Sequence, residues 1–111
     1  VGITRTENFP EVLNRQALLL KALGHPARLA IVTHLLKEQQ CICTNLVDEL
    51  GLAQATVSQH LKALKEAGII KGTIEGRSIC YCLDQHVWNE LAAIFTELNT
   101  YKINGNQSNC C

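Results

Sequence analysis

Residues 43–67 read Cys-Thr-Asn-Leu-Val-Asp-Glu-Leu-Gly-Leu-Ala-Gln-Ala-Thr-Val-Ser-Gln-His-Leu-Lys-Ala-Leu-Lys-Glu-Ala. The pattern is a short helix, a tight turn and a longer helix. In the second half Val57, Leu61 and Leu64 recur at spacings of four and three and line one helical face. Gln54, Ser58, Gln59, Lys62 and Lys65 fall mainly on other faces, and Thr56 and His60 extend that polar surface near the helix start. In the first half Leu46 and Leu50 form a small apolar stripe. Gly51 then stops the helix at a position suited to a left-handed backbone. Two helices joined by a short turn, one of them carrying donors and acceptors that suit base edges, predict a helix-turn-helix. A solvated amphipathic helix in an ordinary bundle has the same local pattern, so the flanking sequence decides.

Downstream, Gly68 stands where a helix of this period stops. Residues 69–83 switch to a period of two. Ser78, Cys80 and Cys82 face one way, and Ile79, Tyr81 and Leu83 face the other. Glu75-Gly76-Arg77 is the turn of a hairpin, and a hairpin directly after the reading helix is the order of a winged helix. Arg77 sits at its tip, where it can enter a minor groove or meet a phosphate. Asp84 is a natural N-cap for a last helix to about residue 101, striped by Val87, Trp88, Leu91, Ile94, Phe95 and Leu98.

Upstream, residues 9–23 form a helix with Pro10 in its first turn and apolar groups nearly all round. Gly24-His25-Pro26 breaks the chain, and Pro26 opens a second helix to about Lys37. Its expected core stripe is Leu29, Val32, Leu35 and Leu36, with His34 a packing or surface residue. The first and last helices carry more apolar surface than one small core uses, so they are expected to pair across a homodimer. The expected fold is mainly α with a β-hairpin wing: a winged helix-turn-helix of five helices plus hairpin, in the order α-α-α-α-β-β-α. Residues 1–103 form one DNA-binding and dimerisation domain, and 104–111 a mobile tail ending in cysteine.

A chain of 111 residues suits one domain that buries ~65% of its unfolded surface. No stretch approaches the ~20 apolar residues of a membrane span, so no membrane partner is expected. The N-terminal residues lack the basic-then-apolar order of a signal peptide, and a cytoplasmic protein is expected. Net charge is zero, but its distribution is uneven. Between residues 54 and 77 lie Lys62, Lys65, Lys71 and Arg77 against Glu66 and Glu75. A twofold dimer presents that positive patch twice, which suits double-stranded DNA. No Gly-rich phosphate loop, supported nucleophile–base pair or zinc-hydrolase motif is present, so neither an enzyme nor an organic cofactor is expected.

The six cysteines come as three close pairs, Cys41/Cys43, Cys80/Cys82 and Cys110/Cys111. Adjacent or next-but-one cysteines make poor bridges with one another. Without a signal peptide, thiolate metal binding or redox sensing is the expected use.

Four stretches make the chain resemble the ArsR/SmtB family of metal-sensing repressors over nearly its whole length. They are His25-Pro26-Ala27-Arg28-Leu29-Ala30-Ile31, Cys41-Ile42-Cys43, Thr56-Val57-Ser58-Gln59-His60-Leu61, and Gly68-Ile69-Ile70 leading into the wing. The resemblance implies a homodimeric winged-helix repressor that leaves operator DNA when an inducer binds. It places DNA contacts on Gln54, Thr56, Ser58, Gln59, His60 and Lys62, and on Arg77 of the wing. One departure is Ala53, which stands where a Ser or Thr would cap the reading helix.

The resemblance also frames the inducer. Arsenite takes three thiolates, and arsenite-type members carry Cys-Val-Cys-Asp-Leu-Cys before the turn. Cys41 and Cys43 match the first two cysteines; the place of the third carries an aliphatic side chain, which cannot ligate. Cys43, at a helix start, is favoured as thiolate. Cys110 and Cys111 are candidates for further sulfur ligands. Cys41, Cys43, Cys110 and Cys111 together would suit cadmium, lead or zinc. Cys80 and Cys82 are expected to pack on the wing strand, with arsenical binding by one of them and the tail pair as the alternative. Asp84-Gln85-His86 matches half of the family's last-helix metal site, but its other half falls on Glu97 and Thr100. Asp84 is therefore read as a cap and His86 as surface. A redox- or persulfide-responsive repressor on the same fold is the competing function.

Overall fold

The computed structural model describes residues 6–44 and 46–103 of the chain. After a 3-10 turn at Thr6–Asn8 come α1 (Glu11–Leu23), α2 (Pro26–Glu38), α3 (Val47–Leu50), α4 (Gln54–Glu66), β1 (Ile70–Thr73), β2 (Cys80–Leu83) and α5 (Gln85–Leu98). The five helices and hairpin follow the expected order. The last helix stops at Leu98, not near residue 101, because the Thr100 and Tyr101 amides tighten to hydrogen bonds three residues back, to the Glu97 carbonyl at 3.0 Å and the Leu98 carbonyl at 3.3 Å.

Local chemistry sets these boundaries. His25 caps α2: its Nδ1 accepts from the Ala27 amide at 3.0 Å, and Pro26 occupies the first turn. Ala53 precedes α4 without a side-chain cap, as its methyl group dictates. The far end of α4 is stronger. Gly68 takes φ +84°, its amide reaches the Lys65 carbonyl at 2.9 Å, and the Ile69 amide reaches the Leu64 carbonyl at 3.0 Å. This is a Schellman closure, with fully buried Ile69 packing over Leu64. Asp84 caps α5 by accepting from the Val87 amide at 3.1 Å.

The core lies where α2, α4 and the hairpin meet. Leu19, Ile31, Val57, Leu61, Leu64, Ile69, Tyr81 and Leu91 are its most deeply buried members. The expected α2 stripe is rotated: Ala27, Ile31, Val32 and Leu35 are buried, whereas Leu29 and Leu36 lie exposed. Ile31 lies four residues from both Ala27 and Leu35, and this row faces α4. On α1 only Leu19 is buried; Val12, Leu13 and Leu18 remain exposed, as do Phe9 just before it and Phe95 and Leu98 on α5. Arg15 and Glu90 join α1 to α5 through bonds of 2.9 and 3.2 Å, an exposed pair worth ~0–1 kcal/mol.

β1 and β2 pair antiparallel, with Gly72 opposite Tyr81. A Cβ on Gly72 would meet the Cys80 carbonyl and the Tyr81 Cα, so only glycine fits there. Ile42 pairs with Tyr81 from the other side: its amide donates to the Tyr81 carbonyl at 2.8 Å and its carbonyl accepts at 2.9 Å. Residues 41–43 thus form a third, very short edge to the sheet.

Tyr81 is 0% exposed, and its hydroxyl has no hydrogen-bond partner among the described residues. Burial, with a smaller effect from Glu49, pushes the phenol up to about 12. The ring therefore supplies the stability and the hydroxyl none. Tyr81→Phe is expected to leave stability within ~1 kcal/mol of the parent or raise it. Tyr81→Ala is expected to cost ~3–5 kcal/mol; urea unfolding of the two variants measures the difference.

Candidate nucleic-acid interface and thiol sites

Burial of Val57, Leu61 and Leu64 fixes which side of α4 faces out. Gln54, Gln59 and Lys62 are exposed, while Thr56 and Ser58 are half-buried. Gln54 Nε2 donates to Ser58 Oγ at 3.2 Å, which aligns two polar groups one turn apart. Arg77 lies exposed in the wing loop. Lys65 turns away from this set: its Nζ donates to the Gly72 carbonyl at 2.6 Å and ties α4 to β1. The surface offers amide, hydroxyl and cationic groups on one helix with a guanidinium on the adjoining loop, a set suited to base edges and phosphates.

His60 differs from its expected place on the polar face. It is 8% exposed. Its Nδ1 accepts from Arg28 Nε at 3.1 Å, and the His25 ring stands 4.2 Å away between centroids. Arg28 also donates through Nη1 to the Ala22 carbonyl at 3.0 Å. One guanidinium therefore joins the end of α1, the start of α2 and the middle of α4. This gives a physical role to the His25-Pro26-Ala27-Arg28 stretch: its histidine caps α2 and its arginine seats α4. The stretch was visible in sequence, but its partner across the fold was not.

The cysteines also differ from expectation. Cys41 is bridged to Cys82 and Cys43 to Cys80, with Cα–Cα separations of 4.3 and 3.9 Å. Cys80 and Cys82 are therefore not merely packing on the wing strand; they are the partners of Cys41 and Cys43. The cause is register. Ile42 and Tyr81 exchange both backbone hydrogen bonds, so the residues flanking them form the closer, non-hydrogen-bonded pairs of an antiparallel ladder. Ile42 and Tyr81 point into the core, and the four sulfurs share the opposite face. In this disulfide-bonded form no group of three or more His, Cys, Asp or Glu side chains among the described residues is disposed to hold a metal ion. Cys110 and Cys111 lie outside the described residues, as does the tail. Asp84 serves as the α5 cap and His86 is exposed.

A family profile described as "Bacterial regulatory protein, arsR family" matches residues 25–71. An uncharacterized HTH-type transcriptional regulator of Methanocaldococcus jannaschii, MJ1325, is 38% identical over 90 residues, covering 79% of this chain and 99% of the relative. The chain belongs to the arsR family. The HTH-type transcriptional repressor SmtB of Mycobacterium tuberculosis is 46% identical over 76 residues, 68% of this chain, and the match spans 56% of that relative's length. Among solved structures, the transcriptional repressor BigR of Xylella fastidiosa matches with TM-score 0.56 and 29% identity over 91% of this chain and 100% of that one. NolR of Sinorhizobium fredii matches with TM-score 0.60 and 25% identity over 85% of this chain and 92% of that one. Members of the family are regulators rather than enzymes, and the winged-helix fold of this arsR-family chain matches theirs. No helix among the described residues is long and apolar enough to cross a membrane.

Burial first, then the charges of His25 and Arg28, hold the His60 imidazole below its ordinary value, which is ~6.5. The unfolded chain therefore takes up this proton at a higher pH than the folded chain. Stability is expected to fall as pH drops from above ~6.5 towards the folded value, then to level off. His60→Gln should flatten that component in urea unfolding followed from pH 8 to pH 5. Arg28→Ala should cost ~1–3 kcal/mol, because it strips a buried acceptor of its donor.

Proposed function

We propose that this chain is a dimeric, operator-binding transcriptional repressor, acting in the cytoplasm, that releases DNA when a thiophilic ion engages the reduced thiols of Cys41 and Cys43. Arsenite is the first candidate, with cadmium, lead and zinc as related ones; Cys110 and Cys111 are available to complete a larger thiolate set. The observation that carries the reading is continuity. Cys43 is followed within a few residues by α3, and Gly51 turns α3 directly into α4. A ligand that moves residues 41–43 moves the support of the reading helix.

In this reading Gln54, Thr56, Ser58, Gln59 and Lys62 meet the major groove, and Arg77 meets phosphate or the adjoining minor groove. His60 supports them from beneath. The exposed apolar rows of α1 and α5, with Phe95 at 55% and Leu98 at 59% exposure, favour a second copy of the chain as their cover. The family membership and the repressor relatives support operator binding.

A second reading, a redox-responsive repressor, is favoured by the Cys41–Cys82 and Cys43–Cys80 bridges themselves. Joining or freeing these sulfurs changes how the segment before α3 is fastened to the wing.

Arsenite added to the reduced protein is expected to release operator DNA in a mobility-shift titration, and Cys41→Ser with Cys43→Ser to abolish that release. Unchanged release in the double variant would falsify the site. Arg77→Ala is expected to weaken binding severalfold across DNA sequences. It should also lower the slope of log affinity against log salt by about one.

A further inference from the structure

The four sulfurs outside the tail are arranged as two cross-strand pairs, and their order differs from the order of the sequence. The sequence groups Cys41 with Cys43 and Cys80 with Cys82. The fold groups Cys41 with Cys82 and Cys43 with Cys80. Along an extended strand, same-face residues stand ~6.7 Å apart. Across the ladder the Cα atoms here are only 4.3 and 3.9 Å apart, and each pair of side chains leaves the same face. When reduced, each pair is a preformed dithiol whose two sulfurs converge on one atom.

We infer that each cross-strand dithiol is a two-thiolate site for trivalent arsenic, with Cys80 and Cys82 supplying the second sulfur and the third position on arsenic left to hydroxide or an organic substituent. The inference rests on the thiol-responsive reading above and changes its ligand set: arsenic bridges residues 41–43 to β2 instead of bridging Cys41 to Cys43.

The chemistry needs no redox step at arsenic. Two thiols displace two hydroxides from an arsenous acid, R–As(OH)2; two As–S bonds form, two As–O bonds break, and two waters leave with the thiol protons. Arsenic stays trivalent throughout. The disulfide-bonded form must first be reduced: a dithiol gives each bridge two electrons and two protons and becomes a disulfide, whereas a phosphine gives two electrons and becomes the phosphine oxide, with water supplying the oxygen and the two protons.

Access favours the Cys41/Cys82 pair. It lines an open groove of ≈ 520 Å³ whose walls include Leu35, Leu36 and Leu83 on the apolar side and Gln39 and Gln40 on the polar side. A substituent on arsenic has an apolar wall there to lie against. The bridge also has leverage. It joins the strand that leads into α3 to the strand that carries the wing, at positions flanking the Ile42–Tyr81 hydrogen bonds. Inserting an arsenic atom between paired sulfurs spreads the two strands at that point.

The test uses the full chain carrying Cys110→Ser and Cys111→Ser, reduced with a phosphine, and phenylarsine oxide as probe. Intact mass spectrometry is expected to count two phenylarsenic adducts. One adduct should remain in Cys41→Ser/Cys82→Ser and one in Cys43→Ser/Cys80→Ser. The along-strand variant Cys80→Ser/Cys82→Ser, which keeps Cys41 and Cys43, should lose at least tenfold in affinity. Full affinity in that variant overturns the inference while leaving arsenic sensing by Cys41 and Cys43 intact. Arsenite response that survives loss of Cys41 and Cys43 instead sinks the proposed function. A readout free of folding effects comes from tryptic digestion of the unsubstituted reduced chain loaded with the probe. Arsenic joining the peptide of Cys41 and Cys43 to that of Cys80 and Cys82 supports the inference; each peptide carrying its own internal arsenic bridge refutes it.

Discussion

Two hydrogen bonds between Ile42 and Tyr81 carry much of this molecule's organisation. They fasten a three-residue segment to the middle of β2, and through it they fix which side chains go inward. Ile42 and Tyr81 fill the core, and the neighbouring cysteines are turned outward together. On the other edge of β2, Gly72 lets β1 approach Tyr81 closely. A slip of one residue would reverse every assignment, placing cysteines inside and the tyrosine ring in water. The cost of that reversal locks the register. Core packing, wing position and sulfur pairing are thus consequences of one alignment.

Much of the fold was legible because its signals are local. The α4 face follows from Val57, Leu61 and Leu64, its end from Gly68, and the start of α5 from Asp84. Each needs only near neighbours in the chain. What escaped the sequence needs partners far away. Cys41 and Cys82 are 41 residues apart and Cys43 and Cys80 are 37. The strand that brings them together is a single bridge with no turn signal and no alternating run long enough to announce it. Close spacing in the sequence instead suggested that Cys41 and Cys43 belong to each other. The same limit explains His60. Its position on α4 suggested a polar surface, but a guanidinium from α2 supplies the partner that lets the imidazole be buried.

α2 shows a different limit. Leu29, Val32, Leu35 and Leu36 form a reasonable stripe by period alone, yet Leu29 and Leu36 are exposed and Ala27 and Ile31 are buried. A helix rich in apolar residues admits several nearly equivalent faces, and only the neighbouring surfaces choose among them. Here the choice is made by α4, whose Leu61 and Leu64 need a partner row, and by Arg28, which must reach His60 and Ala22 at once.

The size of the interactions at the Ile42–Tyr81 edge suits the thiol-responsive release proposed above. Coupling between two sites on a protein is commonly ~1–3 kcal/mol, enough to change affinity 5- to 150-fold. A backbone hydrogen bond contributes ~0.5–1.5 kcal/mol net, and a cross-strand side-chain pair ~0.2–1 kcal/mol. With the Cys41–Cys82 and Cys43–Cys80 bridges reduced, two such bonds and two such pairs therefore hold residues 41–43 to β2 by an amount comparable to the coupling itself. A fastening much weaker would not hold the segment before α3 in place. One much stronger would not yield to a small ligand. Ile42 and Tyr81 share one buried cluster with Val57, Leu61 and Leu64, so in the proposed switch a shift at this edge reaches α4 through packed side chains rather than through the loop alone.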